Sequence, residues 1–174
     1  MRLLDFVLAP FSPGLSPASI VVVNGHPDPR PERFCAAVAE AYGRGVRSVG
    51  GRADILSLGA LKDENGRREA MDRILRNAEL AIVFPLWLDK PPPLLASLVA
   101  AAGPQSCRDA IVTMAMPAFV HRSTPVPPEF AALGRVRRAT FIGSIETLSL
   151  QQRQDWLAKI EGLGRGIRAG LTSA

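Results

Sequence analysis

The sequence predicts a doubly wound α/β domain: a five-stranded parallel sheet in the order 2-1-3-4-5, with helices on both faces. Three observations lead there. Short runs of β-branched and apolar residues recur without polar alternation, as in SIVVVN (19–24), LAIVF (80–84) and AIVTM (110–114), and strands of that kind are buried on both faces. Helical patterns separate them, which calls for right-handed crossovers and parallel pairing. The chain has 174 residues, 47% of them hydrophobic, and that length suits one domain rather than two.

The elements follow in order. Residues 1–18 read as an N-terminal arm. Met1-Arg2 and the apolar residues up to Ala9 resemble the start of a signal peptide, but Asp5 interrupts the run and Pro10, Pro13 and Pro17 follow, so an arm is the better reading. Ser19–Asn24 is the first strand and opens a domain placed at 19–170. The turn-rich GHPDPRP comes next, and Pro31 suits a first helical turn. The helix predicted there runs to about Tyr42, with Phe34, Val38 and Tyr42 as its inner stripe and Gly43 and Gly45 as its end. Ala53–Leu58 alternates, as an edge strand does.

Glu64–Asn77 is a helix with Met71, Ile74, Leu75 and Ala78 on its apolar face. Glu69/Arg73 and Asp72/Arg76 have the i,i+4 spacing of ion pairs. Leu80–Phe84 is the third strand and ends at Pro85. After the loop LWLDKPPP, Leu94–Ala102 forms a short helix. Ala110–Met114 is the fourth strand, a proline-rich loop follows, and Arg138–Gly143 is the fifth. Ser149 and Gln152 form a capping box for the last helix, whose face carries Trp156, Ile160, Leu163 and Ile167.

Composition excludes several functions. No apolar run reaches the ~18 residues of a membrane span, so membrane insertion is not expected. Cys35 and Cys107 form neither a CxxC pair nor a zinc spacing, which points to no metal and to a reducing compartment, the cytoplasm. The net charge is +5 with 18 arginines against three lysines. The arginines are dispersed, and one tyrosine and two tryptophans give little surface for base stacking. Nucleic acid is not the expected partner.

In a doubly wound sheet, ligands bind off the carboxyl ends of the strands where the strand order reverses. The loop after the first strand sits there. It holds one glycine, Gly25, so it is no GxGxxG fingerprint, and it has no GK[ST] of a Walker A loop. The late Gly162, Gly164 and Gly166 follow a helix and read as fraying of its end. What remains is a loop entering a helix N-terminus, attractive to phosphate through free N–H groups and the helix dipole. His26, Arg30 and Arg33 add positive charge. The alternative is a plain surface turn with solvated arginines.

Four stretches, in order, resemble the flavodoxin-fold NAD(P)H:quinone reductase family. They are Gly25–Cys35 (GHPDPRPERFC), Ala78–Leu88 with its FPLW stretch, Val112–Arg122 (VTMAMPAFVHR), and Phe141-Ile142-Gly143 through Glu146 to Gln152-Arg153 and Trp156-Leu157. Together they cover most of residues 19–165.

The resemblance implies a flavin, FMN rather than FAD, since no element for an adenosine half is evident. His26, Arg30, Glu32, Arg33 and Phe34 would hold its phosphate. Pro85, Leu86, Trp87 and Leu88 would wrap the ring edge, and Thr113, Met114, Ala115, Met116 and Pro117 would line the other side. NAD(P)H would be the co-substrate and a quinone or similar small molecule the electron acceptor. His121 stands where such proteins often carry a tyrosine and would be the catalytic hydrogen-bonding group. Its other reading is an exposed loop histidine. Relatives are usually homodimers.

Three departures accompany the resemblance. Pro31 occupies the place of a phosphate-binding hydroxyl. The family's PAxLKG helix start is replaced by PPPLLAS (91–97). The loop between His121 and Arg137 is short and proline-rich. These support a second expectation, a flavodoxin-fold binding or regulatory protein whose flavin pocket is degenerate.

Overall fold

The computed structural model describes residues 19–77, 79–88, 90–117 and 136–166. Its strands are β1 (Ser19–Asn24), β2 (Arg52–Ser57), β3 (Glu79–Pro85), β4 (Cys107–Thr113) and β5 (Arg138–Ile142). Its helices are α1 (Phe34–Ser48), α2 (Glu64–Leu75), α3 (Pro93–Ala102) and α4 (Leu150–Arg165), with a 3-10 turn at Leu58–Ala60. The sheet runs β2-β1-β3-β4-β5, with every pair parallel. That is the flavodoxin-like order expected from the sequence, with β2 at an edge. The N-terminal arm and Ile167 lie outside the described residues.

Period-2 geometry sends alternate strand residues to opposite faces. Ile20 and Val22 of β1, Ala81 and Val83 of β3, and Ile111 of β4 pack against α1 and α4. Val21 and Val23, Leu80, Ile82 and Phe84, and Val112 pack against α2 and α3. Two cores result, one on each side of the sheet. This explains why β1 and β3 show no polar alternation.

Several expectations are corrected. The first helix does not stop at Gly43 and Gly45 but continues to Ser48. Gly45 is there because α4 crosses it: a Cβ at Gly45 would lie 2.0 Å from the Glu161 carbonyl oxygen, and one at Gly164 would lie 2.2 Å from that of Tyr42. Gly164 is therefore a packing residue of an ordered helix, not a sign of fraying. Leu75 is exposed rather than part of the apolar face of α2. Arg73 forks onto Asp54 of β2, at 2.8 Å and 2.5 Å, rather than forming its ion pair with Glu69, and so ties α2 to the sheet edge. Arg76 and Asp72 do pair, at 3.8 Å. Strand β4 starts at Cys107, earlier than its apolar run suggests, because the charge of Asp109 is buried with partners of its own.

Candidate functional site

The strands are parallel, so their following loops gather on one edge of the sheet. There the loops after β1, β3 and β5, with Thr113 at the end of β4, surround a cleft of about 530 Å³, within the size range of small-molecule sites.

The first loop builds one wall. The His26 N–H donates to Oδ1 of buried Asn24 at 3.1 Å, which fixes the start of the loop. Asp28 N–H then donates to Nδ1 of His26 at 3.0 Å, and the Asp28 carbonyl lies 3.2 Å from the same nitrogen. Burial, aided by the charge of Arg33, lowers the His26 pKa, while the Asp28 carbonyl and carboxylate pull the other way. The neutral ring with Nδ1 accepting is thus the form favoured at pH 7. Its edge meets Trp87, with centroids 5.8 Å apart and planes at 81°.

Asp28 organises the charges. Its carboxylate takes Nη2 of Arg30 at 2.6 Å and Nη2 of Arg33 at 2.5 Å, and its Oδ1 also accepts from the Arg30 N–H at 3.1 Å. Hydrogen bonds from Arg30 foremost, and from Arg33, hold its carboxyl well below the usual carboxylate range. The two arginines expected to meet a phosphate therefore already hold an anion from their own loop.

The start of α1 forms the floor. Its N-cap, Arg33, makes no side-chain capping bond, so the first helical N–H groups have no side-chain acceptor. Phe34 and Cys35 from this turn line the cleft. Cys35 Sγ lies 3.2 Å from Thr113 Oγ1, and burial pushes its thiol up to about 11.

The second loop brings Pro85 and Trp87 to the cleft. Trp87 and Lys90 exchange backbone hydrogen bonds at 3.0 and 2.9 Å. Leu88 in this turn takes a φ of 48°, a conformation uncommon for a bulky residue, and is 96% exposed. Trp87 itself is 49% exposed. The loop after β5 contributes Ile145 and Glu146, and the first turn of α4 contributes Arg153. Arg153 donates to the carbonyls of Ile145 (2.6 Å) and Leu148 (3.3 Å), and its guanidinium sits 5.2 Å from the centroid of Phe34.

Of the residues singled out from the sequence, His26, Glu32, Arg33, Phe34, Pro85, Trp87 and Thr113 line one cleft. Arg30 points to Asp28 on the exposed side. Leu86 and Met114 are buried in the core, and Leu88, Ala115, Met116 and Pro117 are exposed. His121 lies outside the described residues. Pro27, Asp28, Cys35, Ile145, Glu146 and Arg153 complete the lining; they fall within the stretches that carry the resemblance but have no site role assigned from the sequence. A signal for the last three existed: a fifth parallel strand must deliver its loop to the same edge. Among the described residues no cluster of metal-ligating side chains occurs, and no helix is long and apolar enough to cross a membrane.

No family model and no curated protein matches the chain. Among solved structures it is similar to the NAD(P)H:quinone oxidoreductase from Methanothermobacter marburgensis. That match has 18% identity and a TM-score of 0.64 over 87% of this chain and 100% of the other. The apo form of NADH:FMN oxidoreductase (EMOB) matches with 19% identity and a TM-score of 0.66, over 90% and 91% of the two chains. An FMN-dependent NADH-azoreductase from Bacillus anthracis str. Ames Ancestor, in complex with FMN, matches with 11% identity and a TM-score of 0.58, over 84% and 97%. Over most of its length the chain thus shares the flavodoxin-like fold of these quinone and azo reductases.

Proposed function

We propose that the protein is a flavin-dependent oxidoreductase that uses NAD(P)H to reduce a quinone or similar small acceptor. One observation carries the reading: the ligand-sized cleft lies at the switch in strand order, between β1 and β3, with aromatic walls and the uncapped start of α1 at its base. The likeness to FMN-dependent reductases supports it. FMN, rather than FAD, is the first cofactor to test.

The residues fit a flavin in part. Trp87, Phe34 and Pro85 offer flat apolar surface for a ring. The first turn of α1, whose Phe34 and Cys35 line the cleft, would hold a phosphate through its N–H groups. The charges there do not fit a phosphate, because Asp28 already holds Arg30 and Arg33. When bound, the flavin supplies the redox chemistry, taking a hydride and reducing the acceptor. The protein's part is to orient the ring and exclude water. His121 is proposed to hydrogen-bond the substrate, and a homodimer in the cytoplasm is part of the same proposal.

The test is the visible spectrum of the purified protein before and after FMN is added, followed by NAD(P)H oxidation with a quinone. A yellow protein with flavin-dependent turnover is expected. Colourless protein that takes up no flavin overturns the reading. Asp28 favours a second reading, a binding or regulatory protein with a degenerate pocket. That reading predicts a stable fold without turnover, and sustained NAD(P)H oxidation would exclude it.

A further inference from the structure

Among the described residues, the charges around the cleft are matched before any ligand enters. Of the guanidinium groups lining it, Arg33 is held by Asp28 at 2.5 Å. Arg153 is committed to two backbone carbonyls and to the face of Phe34. His26 is favoured as a neutral ring. Three carboxylates, Asp28, Glu32 and Glu146, line the same space, and with Arg30, held by Asp28 at 2.6 Å, the described groups balance at three carboxylates and three guanidiniums. A phosphate dianion placed here gives up water to face like charges. Hydroxyl groups meet no such penalty. Each O–H can donate to a carboxylate, and each oxygen can accept from the first N–H groups of α1.

Resting on the flavin reading, we infer that Asp28 is a specificity residue. It acts as a built-in counter-anion to Arg30 and Arg33 and tilts the site toward a flavin with an uncharged polyol tail, and away from the phosphorylated form. This narrows the cofactor proposal: the phosphate of FMN is tolerated at this site, not sought.

The experiment titrates the purified full-length chain, freed of any flavin, with riboflavin and with FMN, following flavin fluorescence. The variant is Asp28→Asn, which keeps Oδ1 as acceptor for the Arg30 N–H while removing the charge. Wild type is expected to hold riboflavin at least as tightly as FMN. Asp28→Asn is expected to shift the affinity ratio about tenfold toward FMN, the size of one screened charge contact. Salt dependence in wild type needs no variant. Raising salt from about 0.02 M to about 0.3 M is expected to leave FMN affinity within about twofold, because Arg30, Arg33 and Arg153, the described guanidiniums at the cleft, already have partners.

A wild-type preference for FMN of about tenfold or more, or several-fold weakening of FMN by salt, overturns the inference. So does an unchanged ratio in the variant with riboflavin still bound, and these results leave the flavin reading standing. Failure of both flavins to bind either protein overturns both.

Discussion

The phenol of Tyr42 on α1 donates a 2.5 Å hydrogen bond to Oδ2 of Asp109 in β4. Asp109 is 1% exposed, and its other oxygen accepts Nε of Arg138 from β5 at 2.5 Å. A buried carboxylate persists only with such partners. Burial, and then the charge of Asp109, push the Tyr42 hydroxyl far above the ordinary range of a phenol. Tyr42→Phe keeps the ring and removes the donor, leaving half of the carboxylate without its phenol. The expected loss is about 1–3 kcal/mol, read as a lower urea midpoint at unchanged slope. A loss below about 0.5 kcal/mol, the range of ordinary surface changes, would show that the bond contributes little.

The crossing of α1 and α4 rests on Gly45 and Gly164, each facing a carbonyl of the other helix. Alanine at either site puts a methyl inside that carbonyl and pushes the helices apart, costing at least about 1–3 kcal/mol. Gly162, two residues before Gly164, has nothing within 4 Å of its absent Cβ. Gly162→Ala is expected to stabilise the helix by about 0.5–1 kcal/mol. Thermal melts of the three variants provide the check. Equal melting of Gly45→Ala and wild type would contradict the close crossing.

The contrast between these glycines shows what was legible in the sequence. The strands were readable because burial on both faces leaves unbroken apolar runs, and the capping box of Ser149 and Gln152 was readable because it depends on local spacing. Gly45 looked like a helix end, because nothing local says that another backbone lies against it. Arg73 reads as a partner for Glu69 because i,i+4 geometry is local, whereas Asp54 lies across the connection from β2 to α2. The cleft divides in the same way. His26, Arg33, Phe34, Pro85, Trp87 and Thr113 sit where parallel topology puts loop starts. The role of Asp28 is not legible in the sequence, because a loop has no fixed period to reveal which arginines an acid will meet.

The His26 ring provides a pH test. Its pKa is lowered in the fold, burial being the largest cause. A histidine whose folded pKa lies below its unfolded value gives stability present above the unfolded value of 6.5 and lost as pH falls toward the folded one. Protonation also makes Nδ1 exchange its acceptor role toward Asp28 N–H for donation toward the Asp28 carbonyl. Trp87 stands in edge contact with the ring, so its fluorescence is expected to fall over this acid window. Trp87→Phe, which leaves Trp156 as the remaining indole, should abolish the change. Persistence of the change in Trp87→Phe would remove His26 as its source.

Both cysteines are buried, and their thiols are pushed up from 9.0, by burial above all, Cys35 to about 11 and Cys107 to about 12. The thiolate is the reactive form, so the native protein at pH 8 is expected to resist an alkylating reagent at both positions and to react at both once unfolded. The sign for stability follows from linkage. An acid whose folded pKa is raised binds more protons folded than unfolded, so its contribution is full below pH 9 and declines as pH climbs toward 11 and 12. Tyr42 acts in the same direction. Urea midpoints are therefore expected to fall through the alkaline range, and Cys107→Ser should flatten part of that slope, because Ser does not titrate there. A midpoint that stays level from pH 8 to about pH 11 would mean that these groups are no more protonated in the fold than in the unfolded chain.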